Sequence, residues 1–371
     1  MRMGRAAITI SPHPIVIAVP LMAYVMRTLT LTITALVFLA SFSGCFGDES
    51  GNESPPEEIN ESLRINHIQM EGTHNSYHVE PLISPTREYR YTHQPLDIQA
   101  SQLGVRHFEI DVWWDVRDGL RVYHNQYDSG TTCPTFQQCM ETLLTWSKSN
   151  DQHHPVMIWV EPKDWAEQAA EITTTVELSG ILEEIESEIS EFWPRNKTIT
   201  PDDVRGEYST LNDGMMDDGW PFLDESRGKA IFVLLATGGM RDLYLENYPG
   251  LKDARMFTMF SPENLSDLIN EDTSAIISLV DPIENWELIS SLVQEGYIVR
   301  TRADVGGEEA DNNDKSRFEA ALSSGAHTIV TDYPGPVEEL DYWIEIPEGN
   351  PSRCNPVTAP IWCDSSALES L

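Results

Sequence analysis

Two histidines, three carboxylates and an asparagine between positions 74 and 161 hold most of the chemistry this sequence offers. They fall in four short segments: Glu71-Gly72-Thr73-His74-Asn75-Ser76-Tyr77, Glu109-Ile110-Asp111, His124-Asn125 and Glu161-Pro162-Lys163-Asp164. Glu109 and Asp111 stand two apart, so on a strand both point the same way. With Asn75 and Glu161 they make four oxygen donors carrying three negative charges, a hard ligand set that suits Ca²⁺. His74 and His124 beside such a cation suit phosphate chemistry, one donating to the transition state and the other to the leaving group. Taken singly, each piece has an ordinary explanation. A Glu-x-Asp pair is most often a solvated strand face, and a lone histidine is usually structural. What argues for a site is their order, since each segment closes or follows an apolar run.

Those runs are Ile65–Met70, Val105–Val112, Leu120–Tyr123, Val156–Val160, Ala230–Ala236, Ala275–Val280, Tyr297–Thr301 and Thr328–Val330, eight in all. Each is rich in Val, Ile and Leu, as expected of strands buried on both faces. Met256–Phe260 offers a ninth. Helical spacing of Leu178, Leu182, Ile185, Ile189 and Phe192 predicts a helix over Leu178–Trp193, and Asn285–Gln294 and Phe318–Leu322 read as further helical pieces. The pattern predicts an α/β protein, a (β/α)8 barrel of TIM type in a single catalytic domain, with an open doubly wound sheet as the rival. Barrel active sites lie at the C-terminal rim of the strands, where the four segments would converge.

At these residues the sequence resembles the phosphoinositide-specific phospholipase C barrel, in particular the secreted calcium-dependent bacterial branch. Gly-Thr-His74-Asn75-Ser-Tyr, Phe-Glu109-Ile-Asp111-Val-Trp, Val-Tyr-His124-Asn and Val-Glu161-Pro-Lys163 carry the likeness. Further blocks follow in order: Cys133-Pro-Thr, Trp220 through Lys229, Thr301-Arg302-Ala-Asp304, Thr331-Asp332-Tyr333 and Arg353 through Pro360. The resemblance implies a TIM-type barrel over about residues 65–363 that cleaves phosphatidylinositol-type lipids to diacylglycerol and an inositol phosphate. It implies Asn75, Glu109, Asp111 and Glu161 as Ca²⁺ ligands, His74 and His124 as the catalytic pair, and Lys163 and Arg302 as phosphate contacts. Glycerophosphodiesterases and sphingomyelinase-D-like enzymes pair two histidines with a Glu-x-Asp site on the same barrel. Their first histidine is typically followed by Arg-Gly, whereas His74 is followed by Asn75-Ser76. A surface lipoprotein that keeps the barrel only to bind is the other alternative.

The chain has 371 residues, 60 acidic against 24 basic, and a formal net charge of −36. Such an excess excludes nucleic acid as a partner, because phosphate backbones demand clustered Lys and Arg. Residues 1–44 differ, with three arginines and no acid. From Met26, an alternative start, a basic residue precedes the apolar run Leu29–Phe42 and then Ser43-Gly44-Cys45. This reads as a secretory signal with a lipobox-like site that would acylate Cys45, in preference to an uncleaved membrane helix over residues 28–44. Residues 45–62 would form an acidic tether, and 63–371 the barrel with a disulfide-clipped tail. The expected protein is exported, anchored by lipid at its N-terminus or secreted, and monomeric. Cys133, Cys139, Cys354 and Cys363 permit three pairings; two local bridges, Cys133–Cys139 and Cys354–Cys363, close the shortest loops and are expected here.

Other features receive plain readings. His67, His93, His107 and His327 lie in or beside apolar runs as packing or capping residues. His78 stands near the site without a role, and His153-His154 precede a strand on the opposite face. Asp304–Asp314 reads as a solvated acidic loop, and Asn212-Asp-Gly and Asp217-Asp-Gly219 as turns. Trp113, Trp114 and Trp165 either pack in the core or meet lipid at the rim.

Overall fold

A computed structural model describes residues 62–369 apart from 85, 116, 164–174, 270, 339 and 349–350. The expectations on residues 1–61, including the signal, Cys45 and most of the tether, and the one on Trp165 lie outside the described residues. The strands are β1 (Ile68–Thr73), β2 (His107–Asp115), β3 (Gly119–Val122), β4 (Val156–Lys163), β5 (Thr198–Ile199), β6 (Ala230–Leu234), β7 (Met256–Phe260), β8 (Ile276–Ser278), β9 (Ile298–Arg302), β10 (Thr328–Thr331) and β11 (Ser352–Cys354). Parallel pairing runs β1-β2-β4-β6-β7-β8-β9-β10 and closes with β10 against β1, giving an eight-stranded barrel. Closure buries every residue of β1, β6, β7, β9 and β10, which is why β6 and β7 read as apolar runs rather than as alternations, while β1 and β9 carry buried Glu71, Arg300 and Arg302.

The count of eight is right, but its membership differs from the sequence reading. Leu120–Tyr123 is not a barrel strand. Gly119–Val122 pairs antiparallel with β2, Val112 opposite Val122 and Asp115 opposite Gly119. Met256–Phe260 takes its place between β6 and β8. Short apolar runs look alike in sequence whether they close a barrel or fold back on a neighbour, so only pairing distinguishes them. The first run also shifts: Ile65–His67 forms a 3-10 turn, and β1 begins at Ile68.

Helices cover the outside. Phe136–Ser149 starts at Thr135, whose hydroxyl accepts a hydrogen bond from the Gln138 N–H at 3.3 Å, and it buries Phe136, Met140, Leu143 and Leu144. The acidic helix spans Thr175–Phe192 and turns Ile181, Leu182, Ile185 and Ile189 inward. Trp286–Gln294 and Ser316–Ser324 fill the two other predicted places. Both local disulfides form, with Cα atoms 5.2 Å apart at Cys133–Cys139 and 6.0 Å at Cys354–Cys363. Two covalent bridges point to an oxidising compartment and so to an exported protein. The tail does more than hang from its bridge. β11 pairs antiparallel with β1, and Glu369 forms a buried ion pair with Arg106 and accepts from the His154 N–H at 2.8 Å, beneath the barrel. Among the described residues, no helix is long and apolar enough to cross a membrane.

Candidate active site

The barrel's interior is charged, and register explains how. Parallel pairing sets Glu109 beside Trp159, Asp111 beside Glu161 and Trp113 beside Lys163. Side chains two apart on a strand share a face, so Glu109 and Asp111 on β2 and Glu161 and Lys163 on β4 rise together toward the C-terminal rim. Lower down, Trp159 lies 5.3 Å from the His107 ring, with the Arg300 guanidinium 5.2 Å from the Trp159 ring centroid.

Glu109, Asp111 and Glu161 each offer an oxygen within 4.8 Å of the others'. Asp111 is fully buried and neither of its oxygens meets hydrogen-bond geometry, while its nearest cation is Lys163 Nζ at 3.0 Å. Lys163 also pairs with Glu161 at 2.7 Å. Burial pushes the Asp111 carboxyl up to about 6, against the pull of Lys163. Burial and the nearby Asp111 push Glu161 up to about 7. Glu109 goes the other way: burial alone would raise it, but Arg300, paired to it directly, and His74 hold it down to about 2. Three closely set carboxylates, with a single lysine between two of them, fit a divalent cation with oxygen ligands.

His74 leaves the top of β1, and its Nδ1–H donates to Asp332 Oδ1 at 2.8 Å. Its Nε2 is 3.6 Å from Glu109 Oε1. Burial and then Arg302 lower its basicity, opposed by Asp332 and Glu109. Asn75 follows with φ 44°, in the left-handed region that asparagine tolerates better than most residues. His124 arrives by a route the sequence reading did not anticipate. It follows the descending arm of the β2–β3 hairpin rather than a parallel strand, and its Nδ1–H donates to Asp128 Oδ2 at 2.9 Å. A cavity of about 430 Å³ is lined by His74, Asn75, His124, Asn125, Arg302 and Asp332, with Tyr89 and Val305 at its side. Arg302 faces this cavity while bound to Asp332 at 3.0 Å, whereas Lys163 is engaged by the two carboxylates.

Four site residues escaped the sequence reading. Asp332 directly follows β10, as His74 follows β1, so the strand-end rule could have found it. Arg300 betrayed itself as a charge inside an apolar run. Asp128 and Tyr91, whose hydroxyl lies 3.5 Å from His74 Nδ1, gave no signal, because loops bring them here. Three plain readings change. Asn212-Asp-Gly is not a turn but lies within the helix Leu211–Asp217. Asp304 is not solvated: it is buried, accepts from the Asp332 N–H at 2.9 Å and from the Thr331 hydroxyl, and burial with Asp332 pushes its carboxyl up. Trp113 is buried with its Nε1–H donating to the Tyr123 carbonyl at 2.8 Å, whereas Trp114 is 36% exposed.

Comparison with known proteins settles the family. The family model for calcium-dependent phosphoinositide phospholipase C matches residues 63–126 and 116–356. The chain belongs to that family. As a calcium-dependent phosphoinositide phospholipase C it is an enzyme that cleaves phosphatidylinositol-type phospholipids, and its cofactor is Ca²⁺. No curated protein matches it. Among solved structures, this phospholipase C is similar to the calcium-dependent phosphoinositol-specific phospholipase C of a Pseudomonas species, in the apo form with myo-inositol, at 16% identity and a TM-score of 0.52 over 73% of this chain and 91% of that one. A second similar structure is the Ca²⁺-dependent phosphatidylinositol-specific phospholipase C of Streptomyces antibioticus, at 15% identity and a TM-score of 0.54 over 74% and 96%. At such identities these structures speak for the shared barrel alone.

Proposed function

We propose that this phospholipase C works through an in-line attack by the inositol 2-hydroxyl on phosphorus, with His74 and His124 as its catalytic pair and Asn75, Glu109, Asp111 and Glu161 as its metal ligands. The observation that carries this reading is the shared cavity of His74, Asn75, His124 and Arg302, joined to the carboxylate cluster where His74 Nε2 lies 3.6 Å from Glu109 Oε1. When bound, Ca²⁺ supplies positive charge that polarises a phosphate oxygen and makes a nearby hydroxyl more acidic. A carboxylate, Glu109 or Glu161, takes the hydroxyl proton; Glu161 is the freer, being 32% exposed where Glu109 is buried and paired with Arg300. His74, held by Asp332, donates to the equatorial phosphate oxygen as charge gathers there. Arg302 adds fixed positive charge on the same wall. His124 gives its Nε2 proton to the diacylglycerol oxygen as the P–O bond breaks. The new O–P bond closes a ring, so a cyclic inositol phosphate and diacylglycerol are the products.

Val305 on the wall of this cavity and Tyr127, two residues beyond Asn125, are exposed apolar groups fitted to a lipid surface. At the N-terminus, Ser43-Gly44-Cys45 after an apolar run supports a lipid-anchored exported enzyme. Cys45→Ser should then move the protein from the membrane fraction to the soluble one; unchanged partitioning refutes the acyl anchor.

The reading is tested with purified protein on phosphatidylinositol, phosphatidylcholine, sphingomyelin and glycerophosphodiesters, each in chelator and in Ca²⁺. Phosphatidylinositol turnover should vanish in chelator and return with Ca²⁺, giving cyclic phosphate first. Full activity in chelator would remove the metal assignment, and preference for a glycerophosphodiester would favour the rival enzyme.

A further inference from the structure

His78 is a wholly buried histidine that the mechanism above does not use. Its Nε2 lies 2.8 Å and 2.9 Å from the two oxygens of Asp128, and its Nδ1 lies 3.0 Å from the Tyr91 carbonyl. Both partners can only accept, because the carboxylate is ionised and the carbonyl has no hydrogen. The ring is thus pinned between two fixed oxygen partners. Asp128 is also fully buried, and its Oδ2 accepts a second hydrogen bond, from His124 Nδ1–H at 2.9 Å. One carboxylate thus sits between two imidazoles, one locked in the interior and the other on the cavity wall.

We propose that His78 is a positioning residue for leaving-group protonation: through Asp128 it fixes the ring of His124 so that Nε2 is presented to the departing oxygen. The proposal rests on the assignment of His124 as the leaving-group acid. A carboxylate hydrogen-bonded on one side can rotate about its Cβ–Cγ bond. With both oxygens held by His78 it cannot, and the direction it offers to His124 is fixed. His78 is itself immobilised. The Tyr91 ring lies against it at a centroid distance of 4.2 Å, its N–H donates to the Asn75 carbonyl at 2.8 Å, and its own carbonyl accepts from the His93 N–H at 2.9 Å. The loop that supplies Asp128 is stitched to the His78 segment, the Thr132 N–H donating to the Tyr77 carbonyl at 2.8 Å. Asn125 and Asp128 exchange backbone hydrogen bonds at 3.1 Å, which sets Asp128 under His124. A buried carboxylate needs such partners, because an unpaired one costs several kcal/mol. That need does not require the partner to be aligned with the one histidine facing the cavity, which is where the function lies.

The test separates orientation from mere packing by changing the leaving group. Phosphatidylinositol releases an alkoxide that needs a proton, whereas the 4-nitrophenyl ester of inositol 1-phosphate releases a phenolate that does not. On the lipid in mixed micelles, His78→Phe and His78→Gln should lower kcat by about 10- to 100-fold, less than loss of the acid itself, with KM little changed. On the nitrophenyl ester both should stay within about 3-fold of the parent, a leaving-group dependence like that of His124→Ala. Equal losses on both substrates would overturn the proposal, as would no loss on either. Should His78→Phe fail to fold, His78→Gln and Asp128→Asn give the same comparison, and Asp128→Asn should share the selectivity. If His124→Ala itself loses equally on both substrates, the leaving-group assignment fails; if His124→Ala is selective and the His78 variants are not, the positioning role alone fails.

Discussion

The two catalytic candidates are held in different ways, and the difference fits the work proposed for each. His74 lies among charges, with Asp332 on Nδ1, Glu109 near Nε2 and Arg302 close by. It is placed to meet an anionic phosphate. His124 is tied to the single carboxylate Asp128 and faces open cavity. It is placed to hand over one proton. Replacing either with Ala should lower kcat on phosphatidylinositol by about two to four powers of ten. The loss of stability should be small beside the loss of rate, since Asp332 keeps Arg302 and Asp128 keeps His78 when either ring is removed. A variant that keeps near-normal kcat removes that histidine from the mechanism. Both residues could be read from sequence, as histidines beside strand ends. Their partners were less legible: Asp332 shows only as the residue after β10, and Asp128, four residues beyond His124, is brought to it by a loop closed between Asn125 and Asp128.

At the scale of elements, the barrel has one tight crossing directly beneath the site. A Cβ built on Gly72 of β1 would stand 2.7 Å from His107 Cβ and 2.8 Å from its Cγ on neighbouring β2. Neither strand can move aside without disturbing the register that sets Glu109 and Asp111. Gly72→Ala should therefore destabilise the protein by about 1–3 kcal/mol, as overpacked cores do, read as a lower urea midpoint. A midpoint equal to the parent's would show that the barrel yields at this point. The β2–β3 hairpin makes a second lesson. Extension of β2 past the barrel mouth to Asp115 is what lets the chain turn back and deliver His124 to the cavity. In the sequence this arm is indistinguishable from a ninth barrel strand.

At the scale of the whole molecule, folding should be linked to acid through His327. This ring is buried between β9 and the segment before β1: the Val299 N–H donates to Nδ1 at 3.1 Å and Nε2–H donates to the Asn66 carbonyl at 2.9 Å. Only the neutral ring can make both bonds. Burial, with a smaller push from His67 and against the Asn66 carbonyl, lowers its basicity from 6.5 to about 4. Between those values the unfolded chain binds a proton that the folded chain refuses, so stability falls as pH drops from about 6.5 and the loss is complete below about 4. His327→Asn removes this titration. Between pH 7 and pH 4, the parent's unfolding free energy should fall by up to about 3 kcal/mol more than the variant's. Groups such as Asp111 and Glu161, which bind protons on folding and oppose this trend, are present in both proteins and cancel. Parallel pH curves would mean that His327 is not held neutral.

The sequence by itself determined the local and periodic properties: the eightfold strand pattern, the helices, the two short disulfide loops, and the oxygen-rich and histidine-bearing segments. These depend on neighbours a few residues away, and burial on both faces writes them as apolar runs. The tertiary structure decided what depends on pairing across the chain. It chose Met256–Phe260 over Leu120–Tyr123 as a barrel strand, brought Asp332, Arg300 and Asp128 to the site, buried Asp304 and Trp113, and folded the tail back onto β1. Register and closure are properties of many distant contacts acting together, and no segment carries them alone.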